Sequence, residues 1–137
     1  HATDPILCAA GVASIDIIEE ENLVERAAAI ETRMRGTLEA LAGRFEAIGE
    51  VRGRGVLFGL ELVKDRETRE PDNALAQNVV RIAQDNGLLV QARGSNGRNN
   101  VIRLVPPMVC TDDEIDTGLA ILADAFEKAT VGATVDA

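Results

Sequence analysis

The sequence contains no tryptophan or tyrosine and only three phenylalanines among 137 residues. It therefore lacks the stacking platforms on which single-stranded nucleic acids are held, and its core must be aliphatic. Positive charge is also scarce: 14 Lys plus Arg stand against 23 Asp plus Glu, a formal charge of -9. A polyanion would be repelled on balance, so nucleic acid is not an expected partner. The one histidine is His1, and the two cysteines, Cys8 and Cys110, lie far apart. This excludes a zinc site recognisable by spacing and a self-contained Ser-His or Cys-His centre. Both cysteines are expected to be small buried apolar side chains.

Also missing is a long apolar run. Hydrophobic residues make up 46% and charged residues 27%, too interrupted for a membrane span and too apolar for disorder. No basic-then-apolar leader is visible and the cysteines do not pair, so the cytoplasm is the expected location. The length suits one domain but is short for a complete cofactor enzyme. The first residue is not Met, and a helix signal at Asp4-Pro5 follows almost at once, so a piece of a longer protein is expected.

What is present reads as alternating helices and strands. Asp4 and Pro5 suit the cap and first position of a helix whose stretch Ile6 to Ile18 is almost wholly apolar or small, which predicts burial on most sides. Asn22 with Glu25 predicts a reciprocal cap for a second helix ending near Gly43. Leu23, Ala27, Ile30, Met34, Leu38 and Leu41 form its apolar face. Val56, Phe58, Leu60 and Leu62 then alternate as a strand, with Arg52-Gly53-Arg54-Gly55 as its loop entrance and residues 64–71 as a solvated connection.

Asp72 or Asn73 caps a third helix running to Gly87, with Leu75, Val79, Ile82 and Ala83 facing inward. A strand from Leu88 to Ala92 and another from Val101 to Val105 flank a turn-rich stretch, Arg93 to Asn100, in hairpin fashion, and Pro106-Pro107 ends the second. Thr111 with Glu114 caps a last helix faced by Ile115, Leu119, Leu122 and Phe126, and a loose tail is expected over 131–137. This order predicts an α+β fold: a two-layer small domain over 1–130, with a three-stranded, mostly antiparallel sheet covered by helices and preceded by a long helical segment.

Three glycine or acidic motifs carry no chemistry. Gly53, Gly55 and Gly59 are misspaced for a dinucleotide loop and lead into a strand, Gly94-Ser95-Asn96-Gly97 reads as a plain turn, and Glu19 to Glu21 as a solvated helix end. Arg103 is more informative, because it sits among Val101, Ile102, Leu104 and Val105. Either it pairs across the strands with a residue such as Glu61 or lies exposed on the polar face, or it clamps a substrate carboxylate, for which its planar fork is suited.

Several segments, in order, together resemble the C-terminal part of class III aminotransferases. They are Asp4-Pro5 with the Ala-rich helix, Ile17-Ile18-Glu19-Glu20-Glu21-Asn22-Leu23, Val51-Arg52-Gly53-Arg54-Gly55-Val56, Gly59-Leu60-Glu61-Leu62 and Asn86-Gly87-Leu88-Leu89-Val90. Val101-Ile102-Arg103-Leu104-Val105-Pro106-Pro107 and Thr111-Asp112-Asp113-Glu114-Ile115-Asp116 complete the series. The resemblance implies a homodimeric pyridoxal phosphate enzyme that moves an amino group from an amino acid or amine donor to a 2-oxo acid. This segment would be the small domain beside a large domain. It places Arg103 where several members bind the substrate α-carboxylate, and His1 to Pro5 at the end of a loop reaching the neighbouring subunit's cofactor. The chain departs from the family in its lysines. A Schiff-base enzyme needs a desolvated lysine, and Lys64, in a charged turn, and Lys128, at a helix end, do not match that motif. The fragment alone is therefore expected to hold no cofactor and to carry no catalytic residue. Other readings of the same residues are a stand-alone α+β module binding a carboxylate ligand or a protein partner, and a regulatory subunit.

Overall fold

The computed structural model describes residues 4–132. Its elements are α1 (Pro5–Glu20), α2 (Leu23–Arg44), β1 (Ile48–Arg54), β2 (Leu57–Asp65), β3 (Glu70–Pro71), α3 (Asn73–Asp85), β4 (Gln91–Arg93), β5 (Val101–Leu104) and α4 (Asp112–Gly132). The α+β architecture is as expected, but the sheet has five strands rather than three. Its order is β1-β2-β5-β4, with β3 added to β2 and every pairing antiparallel.

The two additional strands lie where loops were expected. Ile48–Arg54 carries two glycines and three charged residues, and only Ile48 is fully buried, so the alternation that marks a strand is absent from its sequence. Its glycines have a steric cause. A Cβ at Gly49 would stand 2.7 Å from a Val63 methyl, and one at Gly53 would meet the Leu57 carbonyl oxygen and lie 2.7 Å from the Phe58 ring. The hairpin packs too closely for side chains there. Gly53→Ala should accordingly cost about 1–3 kcal/mol by forcing the strands apart, read as a lowered urea midpoint with unchanged m-value. An unchanged midpoint would show that the hairpin relaxes freely.

One face of the sheet is covered by α2, α3 and α4. Phe58, Leu60 and Leu62 of β2 and Ile102 and Leu104 of β5 meet Ile30, Met34 and Leu38 of α2, Val79 and Ala83 of α3, and Ile115, Leu122 and Phe126 of α4. Two of the three phenylalanines stack at this end, with the rings of Phe45 and Phe126 5.5 Å apart. Charged clasps tie α2 to α4. Arg33 donates to both oxygens of Asp116 at 2.6 Å, and Arg26 donates to Asp112 at 2.7 Å and to the Cys110 carbonyl at 2.6 Å.

The caps divide. Asp4 accepts from the Ile6 amide at 2.9 Å, Asp72 from the Leu75 amide at 2.9 Å, and Thr111 and Glu114 form the reciprocal box. Asn22 makes no side-chain cap: it takes a left-handed backbone, φ 51°, to turn the chain between α1 and α2. The fourth strand is also shorter than expected and starts at Gln91 rather than Leu88. Helix α4 continues through Gly132, two residues into the expected tail, and residues 133–137 lie outside the described part.

Helix α1 is the largest correction. No residue on it is buried, and among the described elements it touches only α2. Its expected burial is not supplied by the described residues. Cys8, on this helix, is exposed rather than buried, while Cys110 is half-buried at the edge of the core.

Candidate functional site

Arg103 sits in β5, opposite Gly59 on β2 and Gln91 on β4. Because strand side chains alternate, burying Ile102 and Leu104 turns Arg103 to the opposite face, which the helices leave uncovered. Arg52 of β1 faces Gly59 from the other side. Arg52, Gly59, Arg103 and Gln91 thus form one row across four strands. Three of them floor a cleft of about 680 Å³, which Arg54, Leu57, Arg93, Gly94 and Val101 help to wall.

Of the alternatives the sequence leaves open, the cross-strand pair between Arg103 and Glu61 is not formed, and Arg103 lies exposed on the polar face of the sheet. Glu61 lies opposite Val101 and Glu50 instead. Its carboxylate accepts from Arg52 at 2.7 Å and from Arg69 at 3.2 Å, and Glu50 accepts from Arg69 at 2.6 Å. Two like charges facing each other across strands would be unfavourable alone, and the two arginines offset them. Arg103 is exposed, with no hydrogen bond or ion pair among the described residues. The acids of this face are already occupied, so its guanidinium is left facing the cleft.

The hydrogen bond from Arg52, with the charges of Arg52 and Arg69, holds the Glu61 carboxyl below its ordinary range, against a smaller opposing effect of burial. A depressed folded-state pKa gives stability that is complete above the unfolded value, near 4.3, and is lost as pH falls through the lower folded value. Glu61→Gln should therefore lower the urea midpoint at neutral pH, with the two proteins converging below about pH 4. Midpoints that stay parallel across pH 3–7 would contradict this assignment.

Helix α2 grips the hairpin tip that forms one wall. The Gly55 amide donates to Glu31 at 2.6 Å, and Arg35 donates to the Gly53 carbonyl at 2.7 Å and to Glu31 at 2.9 Å. Gly55 requires its left-handed φ of 59° to make this turn. The Gly94 to Gly97 segment is the β4–β5 turn, with the Arg98 amide donating to the Ser95 carbonyl at 3.0 Å. It carries no site of its own.

Arg103 was legible in the sequence as a cation among aliphatic residues. Arg52, Arg54, Arg93 and Gly59 were not assigned to its site. Only the alternation within Arg52-Gly53-Arg54 hinted that two of these cations share a strand face. No described helix is long and apolar enough to cross a membrane.

The family model for class III aminotransferases matches residues 1–126. The chain belongs to the class III aminotransferases. It is 35% identical over 128 residues to the 5-aminovalerate aminotransferase DavT of Pseudomonas aeruginosa, covering 93% of this chain and 30% of that protein. A probable 4-aminobutyrate aminotransferase of Bacillus subtilis is 40% identical over 122 residues, covering 89% and 28%. Among solved structures, a Bacillus anthracis aminotransferase superposes with a TM-score of 0.85 at 37% identity, over 91% of this chain and 28% of its own. An amine transaminase from an uncultivated Pseudomonas species, in its PLP-bound form, gives 0.79 at 34% identity, over 89% and 27%. This class III chain thus spans less than a third of the length of the relatives it matches.

The lysines of this class III chain do not fit a pyridoxal phosphate site. Lys64 donates to Glu70 at 2.6 Å, and that bond holds its ammonium pKa above the usual value, the wrong direction for a nucleophile. Lys128 pairs with Asp124 at 2.6 Å along α4. Both are exposed. Of His1 to Pro5, the expected cofactor-proximal loop end, residues 1–3 lie outside the described residues, and Asp4 and Pro5 open α1 as its cap and first residue.

Proposed function

We propose that residues 1–130 form the small domain of a class III aminotransferase and that Arg103 binds the carboxylate of its substrate. The observation that carries this reading is a guanidinium with no partner among the described residues, in a cleft on the helix-free face of the sheet, in a chain of net charge -9. Where acids outnumber bases, an arginine left without one suits an anion from outside, and its planar fork favours a carboxylate. The whole enzyme would move an amino group from an amino acid or amine to a 2-oxo acid. Relatives named for 5-aminovalerate and 4-aminobutyrate suggest amino acid donors. Its cofactor would be pyridoxal phosphate, held by residues outside this chain. A large domain and a second subunit of a homodimer would cover α1, and the cytoplasm is its proposed location.

The test compares the full-length protein with the 137-residue chain. Each is incubated with pyridoxal phosphate, reduced with borohydride and mapped by mass spectrometry. The full-length protein should carry one pyridoxyl lysine outside these residues and be active, while the short chain should be unlabelled and inactive. A stoichiometric adduct on Lys64 or Lys128 would overturn the assignment. A full-length protein with neither adduct nor activity would favour a stand-alone carboxylate-binding module.

A further inference from the structure

The glycines of this sheet have different causes. Gly53 is forced by the backbone, because a Cβ there would meet the Leu57 carbonyl, and Gly55 by its left-handed turn. Gly59 has neither reason. Its φ is not positive, and a Cβ built on it would meet only side chains: a Val101 methyl at 3.1 Å and Arg52 Cγ at 3.9 Å. The 3.1 Å contact asks Val101 to shift by a few tenths of an ångström, a milder demand than backbone makes at Gly53, and glycine inside a strand, unfavourable in itself, marks a bulge, a bend or the close approach of a ligand or another backbone.

Its place in the row says which ligand. Strands lie about 4.8 Å apart, so Arg52 and Arg103, on either side of β2, stand about 10 Å apart at their Cα atoms. Side chains directly opposite each other share a face at about 5 Å between Cβ atoms. Any side chain at residue 59 would therefore rise beside the Arg103 stem, inside the cleft. No Arg103 atom lies among those within 4 Å of the missing Cβ, so that side of the position is clear.

We infer that Gly59 is a specificity-determining position: its missing side chain is what lets a substrate carboxylate reach the Arg103 guanidinium over the bare backbone of β2. The inference rests on the reading of Arg103 as the carboxylate site. It goes further in assigning the selection between carboxylate donors and simple amines to a residue that carries no charge.

The experiment uses the full-length enzyme and reads kcat/KM in the donor half-reaction, for the carboxylate donor that Arg103→Ala weakens most and for a simple alkylamine. Gly59→Ala should lower the carboxylate value several-fold and Gly59→Val by about tenfold or more, with the amine value changed less than about twofold. In an Arg103→Ala background, Gly59→Val should cause no further loss for the carboxylate donor, because the two residues act on the same group. Equal losses for both donors, or losses that simply add, would overturn the role of Gly59. If Arg103→Ala weakens no carboxylate donor, the reading of Arg103 fails as well. Should crowding against Val101 prevent folding, Gly59→Ala combined with Val101→Ala restores the room and must still separate the two donors.

Discussion

Arg103→Ala in the full-length enzyme should weaken transition-state stabilisation for carboxylate donors by about 2 to 5 kcal/mol, a loss of roughly 30- to several-thousand-fold in kcat/KM. Removing a charge-assisted fork leaves the substrate carboxylate without its partner. Donors that lack a carboxylate should lose far less. Arg103→Lys should restore only part of the activity, since an ammonium cannot make two parallel bonds. The exposed position of Arg103, with no ion pair to break among the described residues, means the melting temperature should stay within a few degrees of the parent's. A structural arginine predicts the reverse pattern: a lowered melting temperature and equal losses for every donor.

The isolated 137-residue chain should self-associate through α1. Ile6, Leu7, Val12, Ile15, Ile17 and Ile18 are all exposed, from 37% to 79%, and they surround the helix rather than forming one stripe. A helix apolar on every side belongs in an interior. Each such side chain contributes about 1.5–3 kcal/mol when fully buried, against an association cost of about 4–15 kcal/mol. Sedimentation should therefore show concentration-dependent association, accompanied by binding of an apolar-surface dye. Val12→Glu with Ile15→Glu should abolish both. A strict monomer at high concentration without dye binding would contradict the picture of α1 as an uncovered docking helix.

The parts of this fold that were legible in sequence are those whose periodicity is decided within one element. Phe58, Leu60 and Leu62 alternate because one face of β2 is fully buried, and Ile115, Leu119, Leu122 and Phe126 recur at helical spacing because α4 presents one stripe to the core. Strand β1 was hidden because its neighbours crowd it into glycine at 49 and 53, which reads locally as a loop. The two-residue β3 is set by its pairing with Val63 and Asp65, which sequence pattern does not carry.

For the site, Arg103 stood out by its neighbours along the chain. Its setting comes from register, which brings residues 52, 59, 91 and 103 into one row from four strands. The pairing of Glu61 with Arg52, rather than with Arg103, likewise follows from the diagonal on which β1 and β2 place them, while Arg69 reaches it from the turn between β2 and β3. The burial expected of α1 was read from its composition alone, and no described element other than α2 packs against it.

Crystals of the full-length enzyme soaked with a carboxylate-bearing substrate analogue would show directly where the carboxylate binds. The carboxylate should lie over Gly59, with two guanidinium nitrogens of Arg103 at about 2.7–2.9 Å from its oxygens. A carboxylate bound elsewhere, with Arg103 instead engaged by an acidic side chain of the large domain, would contradict it.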